Sequence, residues 1–207
     1  MRAGVWGGLA GLAMYLANAF LPLPDGLSTA LFVLMGPSLV VAFAGVYPFL
    51  NRPVPSVSAL LGAVFGVLGG ATRMMFATVQ LNNLVYIRGF IEETDSTAAQ
   101  DRWNEIFQGV FTVQNGLNWV SDFFVDMSAF LFAVVMWRHP AFGRWFSLLS
   151  VVTIGPHLLM KSITFPRPPA EAGLFDAGPL VGVWFLVFTI QIARHVGLWP
   201  RRSNPGR

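Results

Sequence analysis

The 207-residue chain has no cysteine, which excludes disulfides, thiolate metal sites and thiol nucleophiles. Charge is scarce as well: Asp, Glu, Lys and Arg make up 11% of the residues, and Lys161 is the single lysine. A soluble domain carries about 25% charged residues. With 55% hydrophobic residues and a mean hydropathy of +0.60, this is an integral membrane protein of the all-α class, with the lipid bilayer as its first partner. No nucleophile motif, phosphate loop or His-Glu zinc spacing is present, so no metal site and no enzymatic activity of its own are expected. A net charge of +3 and a pI near 10 would suit nucleic acid, but the distribution of that charge points to membrane topology instead, and no nucleic-acid partner is expected.

Six apolar runs of near-spanning length cover about 4–21, 29–50, 57–85, 117–137, 145–164 and 180–198, each close to the ~20 residues that cross a bilayer. The first contains Gly4, Gly7, Gly8 and Gly11, and the third Gly62, Gly66 and Gly70 at four-residue spacing. Such small-residue ridges let helix backbones approach closely and offer seams to a partner or a second copy. A signal peptide ending near Ala17-Asn18-Ala19 is the rival to the first span, and retention is expected. Pro37 in the second span and Pro156 in the fifth each remove a backbone hydrogen bond, so kinks are expected there. Asn51-Arg52-Pro53 closes the second span.

The long polar connection before the fourth span contains Thr97-Ala98-Ala99-Gln100 in capping-box form and Trp103, Ile106, Phe107, Val110 and Phe111 at helical spacing. It predicts an amphipathic helix over about 97–114 on the membrane surface, broken at Asn115-Gly116. Arg2, Arg52, Arg138, Arg144, Arg194, Arg201, Arg202 and Arg207 then fall on one side of the membrane. Asp25, Glu92, Glu93, Asp95, Asp101, Glu105, Glu171 and Asp176 fall on the other. The positive-inside rule places both termini in the cytoplasm. Met35-Gly36-Pro37 matches Ile154-Gly155-Pro156, and Leu61-Gly62 matches Val181-Gly182, which reads either as an inverted three-plus-three repeat or as coincidence within a small apolar alphabet.

The unusual chemistry lies in the fourth span. Asn118, Asp122 and Asp126 recur every four residues, giving one wet stripe on an otherwise lipid-soluble helix. A carboxylate in hydrocarbon costs several kcal/mol unless paired, and the candidate partners are Arg73 in the third span and His157 and Lys161 in the fifth. These residues are expected to converge in the outer half of the bilayer, with Asn82 and Asn83 completing the outer edge. Three readings stand: a structural ion-pair network, a cavity open to the outside that binds or moves a small solute or protons, and acid-base catalysis. An accessory subunit of a larger complex is the alternative for the whole protein. No cofactor is assigned. A bis-His haem fits poorly because His157 is the one histidine expected to be buried, His139 and His195 falling at helix ends, while a single-ligand pigment at His157 is left open.

The stretches Trp137-Arg138-His139-Pro140, Thr164-Phe165-Pro166-Arg167-Pro168-Pro169-Ala170-Glu171 and Gly178-Pro179-Leu180-Val181-Gly182-Val183-Trp184 together resemble a pattern in small bacterial six-span membrane proteins of unknown function. The resemblance covers about the last third of the chain. It implies the architecture and a bacterial plasma membrane, and carries over no catalytic residue.

Overall fold

The computed structural model describes residues 1–52 and 54–198. Pro53, Arg201, Arg202 and Arg207, singled out above, lie outside the described residues, as do the side chains of Ala19 and Asp25. The described chain is all-helical: α1 (Arg2–Phe20), α2 (Asp25–Leu50), α3 (Val57–Asn82), α4 (Arg88–Glu93), α5 (Thr97–Met136), α6 (Gly143–Thr164) and α7 (Gly178–His195). Four helical stretches are long and apolar enough to cross a membrane: Gly26–Leu50, Val57–Glu93, Thr97–Met136 and Gly143–Thr164. These long apolar helices suit a lipid environment.

Local chemistry sets the helix ends. Ser56 has extended backbone and its hydroxyl accepts the Ala59 N–H at the start of α3, while Asn51 Oδ1 accepts the Ser56 N–H at 2.8 Å and holds the turn from α2. Gly143 opens α6 at φ +75° and Gly173 closes a short 3₁₀ turn at Pro169–Ala172 with φ +75°, a region that disfavours side chains. Pro37, Pro48 and Pro156 all sit inside continuous helices.

Two expectations about the polar connection are corrected. The chain does not break at Asn115-Gly116, and 97–114 is not a separate surface helix: α5 runs unbroken for 40 residues. Glycine costs a helix interior about 1 kcal/mol relative to alanine but leaves every backbone hydrogen bond in place, and packing against its neighbours outweighs that cost. The cap is Ser96 rather than Thr97, and Gln100 Nε2 reaches back to the Thr94 carbonyl at 2.8 Å. At 1.5 Å per residue α5 is about 60 Å long, twice the ~30 Å hydrocarbon layer. Its first half pairs with the continuation of α3, which passes through a π turn at Asn83–Ile87 into α4. Phe90 stacks on Trp103 at 4.8 Å and Asn83 Nδ2 donates to the Phe107 carbonyl at 3.3 Å. The result is a projecting helical hairpin.

Packing runs around a closed ring: α1 on α2, α2 on α3, α3 on α5, α5 on α6, α6 on α7 and α7 back on α1. Phe43, Phe132 and Phe188 fill its centre, fully buried. Both glycine ridges are occupied within the ring. A methyl added to Gly4 would meet the Gly45 backbone at 2.6 Å, one on Gly70 the Gly36 carbonyl at 2.9 Å, and one on Gly66 the Phe43 ring at 2.2 Å. The seams expected to receive a partner are therefore filled by the chain's own helices. The matched glycines of the two halves meet unlike surroundings, since Gly36 is pressed against α3 whereas the nearest atom to a methyl on Gly155 would be Phe130 Cζ at 3.9 Å.

Helices alternate in direction, which separates the charges. Met1, Arg2, Phe49, Arg52, His139 and His195 line one cavity at one end. The α3–α5 hairpin and the proline-rich α6–α7 loop lie at the other, where Trp119 packs on Phe165. These are called the basic and acidic ends below.

Candidate functional site

All six site residues expected from the sequence come together. Arg73 projects from α3, Asn118, Asp122 and Asp126 from α5, and His157 and Lys161 from α6. Because α5 and α6 are antiparallel neighbours, residues four apart on each form two rungs between them, one helical turn or about 6 Å apart. In the upper rung, Arg73 Nη2 donates to Asp122 Oδ1 and Lys161 Nζ donates to Asp122 Oδ2. Arg73 Nη1 also donates to Asn118 Oδ1 at 2.7 Å. The lower rung is His157 Nδ1 against Asp126 Oδ2 at 2.8 Å.

The rungs differ in access. Side chains of the upper rung keep 13–17% of their surface, whereas Asp126 keeps 1% and His157 6%. Asp126 Oδ1 has no hydrogen-bond partner among the described residues. A small pocket of about 40 Å³ at the acidic end is lined by Asn115, Asn118, Trp119, Lys161 and the loop from Phe165 to Pro169; it reaches the upper rung, and neither Asp126 nor His157 lines it.

The rungs also differ in composition: Asp122 accepts from both cations, whereas Asp126 meets only His157. Chemically the arrangement offers a clamp that locks three helices through one carboxylate, and beneath it a buried acid-base pair able to hold or release one proton.

Several residues fall elsewhere than expected. Asn83 is buried but serves the hairpin through Phe107, and Asn82 is exposed, so neither completes the cluster. His139, expected at an interfacial helix end, is 7% exposed. Its Nδ1 accepts the Ala141 N–H at 3.2 Å and its Nε2, facing the Phe49 carbonyl at 3.3 Å, must be the protonated nitrogen, because a carbonyl only accepts. Nδ1 is thus used within the α5–α6 turn and Nε2 in tying that turn to α2, and neither is left to ligate iron. Burial lowers the His139 pKa below its ordinary value and keeps the ring neutral. Trp119 was missed as part of the site. It stacks on Phe123 at 5.5 Å and its Nε1 donates to the Lys161 carbonyl at 3.3 Å, roofing the upper rung; its place one residue after Asn118, on the face adjoining the wet stripe, was the available signal.

No protein-family model, curated protein or solved structure matches this chain.

Proposed function

We propose that the protein is a six-span bacterial plasma-membrane protein, with both termini cytoplasmic, whose lower rung takes up and releases protons reaching it from the outer side. The observation that carries this reading is the buried Asp126–His157 pair at 2.8 Å, one carboxylate oxygen without a partner among the described residues, directly beneath the partly exposed Arg73–Asp122–Lys161 rung. Intramembrane ionisable groups that pair with one another and lie behind a solvent-facing entrance are the usual components of proton relays. Six spans are supported by the lengths of α1 and α7, 19 and 18 residues, or about 28 and 27 Å, and by their places in the ring between longer helices. The orientation is supported by Arg2, Arg52, Arg138, Arg144 and Arg194 at the end that has no acidic residue among the described residues. The bacterial plasma membrane is supported by the resemblance of the last third of the chain.

The test is proton flux into liposomes that enclose a pH-sensitive dye, driven by a potassium diffusion potential. Wild-type protein should acidify the lumen several-fold faster than Asp126→Asn or His157→Gln. Equal rates for all three proteins and for protein-free liposomes would reject the proposal.

A second reading, an accessory subunit, is favoured by one observation. The hairpin exposes Val85, Tyr86, Phe90, Ile106 and Val113, each 45–63% accessible, beyond the length needed to span a bilayer. Under that reading proton flux is absent, and a photo-crosslinker at Tyr86 captures one defined membrane protein in native membranes.

A further inference from the structure

We propose that the cavity at the basic end binds a phosphate-bearing anion, supplied either as the headgroup of an anionic phospholipid or as a soluble phosphate. The cavity is about 630 Å³ and is built from four separate parts of the chain: the start of α1 (Met1, Arg2), the end of α2 (Phe49, Arg52), the α5–α6 turn (His139, Pro140, Ala141) and the end of α7 (His195, Val196). Its size falls within the range of small-molecule sites and exceeds what a lone phosphate needs. Among the described residues no acidic one lines it.

Its cations are uncompensated. Arg2 and Arg52 are exposed, and neither makes an ion pair among the described residues. Two guanidiniums reach one cavity, from the start of α1 and from the turn after α2, and the planar guanidinium matches phosphate geometry with paired donors. The histidines have different roles. His139 has both nitrogens engaged by backbone and forms wall. His195 donates Nδ1–H to the Gln191 carbonyl at 2.8 Å, which leaves Nε2 as the nitrogen available to a ligand.

The floor is apolar. The Phe49 ring lies 5.0 Å from His139 and 6.2 Å from His195, with Ala141 and Val196 beside it. A basic rim over an apolar floor, at the ends of helices that cross a bilayer, suits a molecule with a charged head and an apolar body, and basic pockets between such helices hold anionic lipid headgroups.

The experiment is native mass spectrometry, paired with thermal melting in detergent, of the full chain titrated in separate arms with dioleoyl phosphatidylglycerol, dioleoyl phosphatidylcholine and inorganic phosphate. Wild type should retain phosphatidylglycerol adducts and melt higher with that lipid, with little response to phosphatidylcholine. Arg2→Gln and Arg52→Gln should each reduce retention several-fold, Arg52→Lys should restore part of it, and Arg144→Gln, off the cavity, should leave it unchanged. Stabilisation by inorganic phosphate that is lost in the same variants assigns the site to a soluble ligand. Equal retention of the two lipids, with no phosphate response, overturns the proposal. So does equal loss in Arg144→Gln and Arg52→Gln, because the attraction is then diffuse surface charge. All three arginines are exposed, and unliganded melting temperatures identify any variant that fails to fold.

Discussion

At the acidic end Arg73 and Lys161 grip the two oxygens of one carboxylate, whereas at the basic end Arg2 and Arg52 line a cavity with no carboxylate among the described residues. The first arrangement is complete within the chain and fixes three helices against one another. The second is left open, and its charge is directed at something other than the chain itself. Equal numbers of cations thus do opposite work depending on whether a helix supplies an anion at the same level.

Removing that anion is the most damaging way to break the contrast. Asp122→Ala turns the upper rung into two facing cations in a site that keeps 13–17% exposure. The expected loss is about 3 kcal/mol, the low end of the range for breaking a buried ion pair. Arg73→Leu should cost less, since Lys161 still neutralises Asp122, and Asp122→Asn combined with Arg73→Leu should lose less than the two single effects summed. Melting temperatures of the two singles and the double in one detergent decide this, and strict additivity would show that Arg73 and Asp122 are not coupled.

The region between the two ends gives the next effect. A methyl on Gly66 would lie 2.2 Å from Phe43 Cγ, and Phe43 is 1% exposed with little room to withdraw. Gly66→Ala should therefore destabilise by about 1 to 3 kcal/mol, as overpacking does. Gly116→Ala, whose methyl would meet nothing within 4 Å, should instead match or exceed wild-type stability, because alanine is the better helix former. Thermal denaturation of the pair compares a closed seam with an open helix face, and a destabilised Gly116→Ala would contradict the continuous α5.

The smallest effect sharpens the comparison at the basic end. His139 has a folded pKa below its ordinary 6.5 because it is buried, so as pH falls the unfolded chain takes up this proton before the folded one. The contribution to stability is complete above pH 6.5 and is lost as pH drops from there toward the lowered folded value. Melting temperature should decline over that window in wild type and less steeply in His139→Gln, whose amide can still donate to Phe49 but does not titrate. Parallel slopes in the two proteins would remove His139 as the cause.

Much of the site was legible because hydrocarbon leaves charged groups few options. Asp122 and Asp126 on one stripe of α5 demanded partners, and Arg73, His157 and Lys161 were the intramembrane candidates. Which carboxylate took which partner was not legible, because it depends on the axial offset between antiparallel helices, and no residue type records that offset. Asn115-Gly116 read as a break because it is common turn chemistry, yet tertiary packing along α3 and α4 overrode it. His139 read as an interface residue because its neighbours in sequence are Arg138 and Pro140; its burial comes from Phe49, 90 residues away. The cavity at the basic end escaped notice for the same reason, its lining being scattered over four segments that only the closed ring brings together.

The unbroken length of α5 carries a mechanical consequence. Thr97 at the hairpin tip is 25 residues from Asp122, about 38 Å along a single rod that contains no proline and no interruption in its hydrogen bonding. Among the described residues the polar contacts of α6 with this rod, from Trp119, Asp122, Asp126 and the Ala133 carbonyl, all lie on its spanning half. The hairpin half is thus an extension of the helix that presents Asp122 and Asp126, continuous with it in hydrogen bonding and braced by α3 and α4 rather than by α6.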